Sequence, residues 1–261
     1  MLILVLLPGL LSAGIGTLIF IGLDNWTGLG TFSLAIPGLP HLGGITVGEF
    51  GWALVIGVAA VPVGAGIQML GRFLHPYAER WTMLLLPAAG LVIAGLAIIY
   101  AEATGQPNTD VLFSGQSALP NLIEHASSYT VGALLLVLVC KGLAYGVSLG
   151  HFRGGPVFPA MYLGAAGGVA MSHLPGLPMV AGVAMGIGAM SVVLLSLPLT
   201  SVLLASLLVA SDAIAVMPLV IVAVVVAHVT AARLTPPAEP DKGEAGAPRP
   251  AAAAKAADPA S

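Results

Sequence analysis

The 261 residues are 58% apolar and 7% charged, with a mean hydropathy of +1.03 and a net charge of −3. A water-soluble domain carries about 25% charge, so that class is excluded; there is no basic patch, and nucleic acid is not expected as a partner. One cysteine, Cys140, lies in an apolar run, which rules out a disulfide framework and reads as a small core residue.

In chain order, Met1 leads straight into LILVLLPGLLSAGIGTLIFIGL. No positive n-region precedes this run, it outlasts the core of a signal peptide, and no small-residue cleavage pattern is clear. It predicts a membrane helix over 2–23, and one that starts abruptly. Further long apolar helices are predicted at 49–72, 81–101 and 129–148, with a short helix on the outer side at 115–125. Shorter apolar segments follow at 157–172, 178–195, 197–210 and 213–232, bounded by Gly150, Pro156, Pro175, Pro178, Pro198 and Asp212. Several are too short to cross a hydrocarbon core of about 30 Å, which predicts tilted or half-crossing helices. The expected fold class is all-α: a polytopic membrane region over 1–234 with broken and re-entrant helices. From 235 to 261 the chain is rich in Ala and Pro, with scattered charge and no apolar periodicity, and a disordered tail is expected.

Eight basic residues set the orientation. Arg72 and Arg80 flank the connection after the second helix, and Arg233, Lys242, Arg249 and Lys255 close the chain. The connections at 24–48 and 102–128 hold none. By the positive-inside rule the 72–80 turn and the C-terminus are cytoplasmic and those two connections face outside. Arg153 then falls on the cytoplasmic side, and the expected location is the plasma (cell inner) membrane.

The break GHFRGGPVFP is the candidate site. Gly154 and Gly155 allow close approach of a ligand. Pro156 suits a first helical turn, where its missing N–H is no loss, and Pro159 still lies within that turn. The amides of Val157 and Phe158 are then free to point forward, as an anion site requires. A tight turn whose donors are satisfied by protein or water fits the same residues.

Lys141, deep in its helix, either adds positive potential to an anion path or is structural, snorkelling or capping a carbonyl inside the bundle. Asp212 ahead of the last apolar run has the pattern of an N-cap, Glu124 and His125 read as solvated, and His228 as structural. Ser117 in GQSAL lacks the second glycine of a nucleophile elbow. No spacing supports a metal site or a nucleotide fingerprint. Neither an enzyme nor a cofactor is expected.

Three stretches carry a resemblance to the CLC family of chloride channels and chloride/proton antiporters. VLFSGQSALPNLIEH resembles the glycine-led segment ahead of its central helix. VSLGHFRGGPVFPAMYLGAAGG resembles its Ser-rich turn, GxFxP loop and following helix. VAGVAMGIGAMSVVLLSLPLTSVLLASLLVASDAIAVMPLVIV resembles the later helices, including an apolar-Pro-Leu-Thr start at Leu197, Pro198, Leu199 and Thr200. The resemblance runs over about 2–232 and is best from Phe113 to Thr230.

It implies an inverted-repeat membrane fold in which helix starts from two halves hold chloride through backbone N–H groups. Gly155, Pro156, Val157, Phe158 and Pro159 correspond to the second half's loop, with the closing proline matched and the phenylalanine one position late. Arg153, Gly154, Gly155 and Pro156 echo the family's GREGP loop, with glycine where its gating glutamate stands. The GSGIP-type and GREGP-type loops of the first half are absent, as is the last helix with its pore tyrosine; no regulatory domain pair follows.

The expectation is therefore the carboxyl-side half of such a subunit. Chloride or a similar small anion is its cargo and membrane lipid its surroundings, and a homodimer or a missing N-terminal half completes it. The alternatives are an inactive or accessory fragment, an unrelated small-anion transporter and, more remotely, an intramembrane hydrolase using Ser117.

Overall fold

The computed structural model describes residues 2–28, 46–152, 154–209 and 213–234. Among them the chain forms α1 (Leu2–Thr27), α2 (Val47–Arg80), α3 (Thr82–Thr104), α4 (Ala118–Glu124), α5 (Val131–His151), α6 (Val157–Ser172), α7 (Met179–Leu195), α8 (Pro198–Val209) and α9 (Ala213–Leu234). Single 3-10 turns occupy Asn108–Asp110 and Ala126–Ser128. The expected all-α polytopic architecture is what the chain adopts. Arg153, Asp212 and the tail at 235–261 lie outside the described residues.

Among the described residues, five helices are long and apolar enough to cross a membrane: α1, α2, α3, α5 and α9. The 16, 17 and 12 residues of α6, α7 and α8 rise about 24, 26 and 18 Å, short of a hydrocarbon core. Broken segments of this kind survive only where other helices cover their backbone ends. Accordingly α7 lies at the centre, with every residue from Val180 to Val193 buried, against α2, α6, α8 and α9.

The tightest contact is α6 on α7. The two helices run antiparallel, so Gly164 meets Gly186 and Gly168 meets Gly182. A Cβ on Gly164 or Gly168 would overlap the facing glycine's carbonyl. Four missing side chains thus let two backbones touch, the usual means of joining helices where lipid removes the hydrophobic drive. Gln68 of α2 adds a polar tie to this core, its Nε2 donating to the Val193 carbonyl at 2.9 Å.

Two differences from the sequence reading stand out. The 72–80 turn does not exist: α2 continues through Pro76 to Arg80, and Trp81 alone separates it from α3. Proline forfeits one ladder bond, but its fixed φ is helical and the chain continues, with the Phe73 and Tyr77 rings packed at 5.5 Å on either side of it in sequence. Arg80 closes the helix in its last turn, favourably placed against the helix dipole. The outer helix is shorter than 115–125 and amphipathic: Ala118, Leu119, Leu122 and Ile123 of α4 are buried, and the helix packs on α6.

Candidate anion site

The start of α6 is built by its prolines. Pro156 is the N-cap, with φ −80° and ψ −11° and no side-chain cap. The Ala160 amide donates to the Pro156 carbonyl at 3.1 Å and closes the first turn. Pro159 has no amide proton, so the turn leaves two donors, on Val157 and Phe158, and among the described residues neither has an acceptor.

From Pro159 to Ala166 the helix is buried, whereas Gly154 and Gly155 are exposed and Pro156, Val157 and Phe158 half-buried. The helix is therefore anchored in the bundle while its positive end opens at the bundle surface. Aligned peptide dipoles place roughly half a positive charge there, which favours an anion.

Lys141 sits mid-way along α5 and is 2% exposed. Its Nζ donates to the main-chain carbonyl of Asp110 at 2.6 Å, with those of Val111 and Leu112 at 3.4 and 3.5 Å. The ammonium also lies 4.4 Å from the centroid of the Tyr162 ring on α6, a cation–π contact. Bonding of carbonyls inside the bundle, one of the sequence readings of Lys141, is the geometry found.

The residues around it were not singled out in the sequence. Asp110 is fully buried, and its Oδ2 accepts from the Tyr129 hydroxyl at 2.8 Å and the Tyr100 hydroxyl at 3.3 Å. Burial pushes the Asp110 carboxyl above its ordinary value, opposed by Tyr129 and Tyr100 and then by the charge of Lys141. Among the described residues, the buried Tyr162 hydroxyl and Asp110 Oδ1 have no hydrogen-bond partner. The available signal was a carboxylate in a connection devoid of basic residues, with tyrosines at both flanks. Sequence distance hid it, because the partners come from α3, the 108–110 turn, α5 and α6.

The family model for voltage gated chloride channels matches residues 2–232. The chain belongs to this family. Comparison with curated proteins and with solved structures gave no match. Voltage-gated chloride channels move anions across membranes, which gives the start of α6 a chemical context.

Of the candidate residues, Gly155, Pro156, Val157 and Phe158 lie at the partly open start of α6 with Pro159 buried behind them, and Lys141 meets α6 at Tyr162, five residues beyond Val157. Ser117, Glu124 and His125 are exposed around α4, and the His125 Nδ1 lies 3.2 Å from the Asn121 carbonyl. His228 is half-buried on α9.

Proposed function

We propose that the protein conducts chloride past the start of α6, where the Val157 and Phe158 amides coordinate the anion. The supporting observation is a pair of amides with no acceptor among the described residues, at a half-buried helix start in a member of the voltage-gated chloride channel family. Gly154 and Gly155 carry no side chain that would screen these donors, and Arg153, the residue before them in the sequence, contributes a positive charge. Backbone dipoles bind an anion weakly enough for it to leave, as conduction needs.

In lipid, two unpaired amides would be destabilised by several kcal/mol each. A second copy of the chain or a separate polypeptide therefore faces the start of α6 and completes the pathway. Without that cover the chain is an inactive or accessory component. The basic residues at the end of α2, and Arg233 at the end of α9, orient both ends and the C-terminus toward the cytoplasm.

The test is halide flux and location. Purified protein in liposomes is expected to carry chloride above empty controls, and bromide-soaked protein to show anomalous density at Val157 and Phe158. Val157→Pro removes one donor at a helix position that tolerates proline, whereas Val157→Ala keeps it. The proline variant is expected to lose bromide occupancy and weaken the chloride dependence of flux about tenfold, with the alanine variant unchanged. Empty density at that spot in folded protein would overturn the reading.

A further inference from the structure

We infer that Lys141, Asp110 and Tyr162 form a positioning cluster that sets the rotation and depth of α6, and through it the aim of the Val157 and Phe158 amides. The inference rests on the anion site proposed above and assigns Lys141 a role other than supplying charge to the pathway.

The donor geometry comes first. An ammonium removed from water must have its protons accepted. Here the acceptors are main-chain carbonyls of 110–112, with Asp110 O at 2.6 Å. Lys141 therefore fixes this connection to α5.

The same connection bears on α6. Gly115 has φ +90°, and a Cβ there would lie 2.9 Å from the Tyr162 Cβ, so the chain turns directly on that side chain. Tyr162 is gripped from two sides, by Gly115 on one and by the Lys141 ammonium, 4.4 Å from its ring centroid, on another. Its position is about 7.5 Å of helix rise from Val157. A helix held there cannot rotate or slide without carrying its first turn along.

The Asp110 carboxylate anchors the far side. Tyr129, just ahead of α5, and Tyr100, on α3, both donate to its Oδ2, so the carbonyls that hold Lys141 are themselves fixed. Charge balance argues against an electrostatic role: the cation lies in the same buried cluster as the Asp110 carboxylate, and its field at a distance is reduced accordingly.

The two roles predict opposite signs at Asp110. If Lys141 supplied field to the pathway, removing the neighbouring negative charge would tighten anion binding. If the cluster positions α6, removing it loosens the helix start and weakens binding.

The experiment measures half-saturating chloride for flux, and maximal flux per folded protein, in liposomes containing the full chain. The expected results are a rise in half-saturating chloride of about tenfold for Lys141→Met and Asp110→Ala, recovery to within about twofold for Lys141→Arg, and no tightening for Asp110→Asn. Melting temperature and bromide occupancy on the same preparations separate misaligned donors from unfolded protein. Asp110→Asn carries the test if the alanine variant does not fold, since it keeps the shape of the side chain.

Tighter chloride dependence in Asp110→Asn, or an unchanged dependence in Lys141→Met, would overturn the inference. Val157→Pro distinguishes the two readings. If it weakens chloride dependence while the cluster variants do not, the cluster fails and the anion site stands. If Val157→Pro is also without effect, the anion site fails first.

Discussion

Asp110 shows how one buried residue can tie distant segments together and still be invisible in a linear reading. Its carboxylate has two tyrosine donors on one oxygen and none on the other. Removing the closer donor by Tyr129→Phe leaves the buried Oδ2 with only the longer Tyr100 bond, and losing a hydrogen bond to a buried carboxylate destabilises by about 1–3 kcal/mol; chemical denaturation in detergent is expected to show that loss. A pH dependence follows from the raised carboxyl. The folded state holds this proton more tightly than the unfolded one, so the stabilising contribution is complete below the ordinary carboxylate range. It is lost as pH rises through the raised value. Melting temperature against pH is expected to carry that falling component in the wild type and to lose it in Asp110→Asn.

At the level of elements, the crossing of α6 and α7 decides how the site is mounted. Gly168 faces the Gly182 backbone with no room for a methyl, whereas a Cβ on neighbouring Gly167 would meet nothing within 4 Å. Two adjacent glycines in one helix therefore answer to different physics. Gly168→Ala is expected to force the helices apart and destabilise by about 1–3 kcal/mol, as overpacking does. Gly167→Ala is expected to be neutral, or to stabilise by about 0.5 kcal/mol through helix propensity. Thermal melts of the two variants side by side check the contrast. A shift of α6 at this crossing moves its first turn as well, so Gly168→Ala is also expected to reduce chloride flux.

For the molecule as a whole, the arrangement is a central helix buried from Val180 to Val193 inside a shell whose outer faces are apolar. None of residues 7–24 of α1 is buried, and large apolar side chains such as Leu91, Ile98 and Leu207 stand exposed on other helices. Apolar outer faces of this kind suit a chain embedded in a membrane. Orientation is testable at the same scale. Cys140 is buried and gives little background, so Arg80→Cys and Ser127→Cys can be labelled from one side each with an impermeant maleimide. Arg80→Cys is expected to react from the cytoplasmic side and Ser127→Cys from the outer side, because basic residues cluster at the end of α2 and are missing from 102–128.

Amino-acid order alone determined the membrane class, the helix series and the place where the chain breaks. Those properties depend on local hydropathy and on glycine and proline, which act on the residues beside them. Residues 157–172 were legible to the residue because Pro156 starts that helix and its apolar run then ends. The end of α2 was not, because Pro76 leaves helix and turn close in local energy and packing selects between them. Tertiary structure alone decided that Lys141 meets the carbonyls of 110–112 and the Tyr162 ring, and that Asp110 draws Tyr100 and Tyr129 together. Such contacts depend on which faces of distant helices are pressed together, and the period of a single helix does not encode its neighbour.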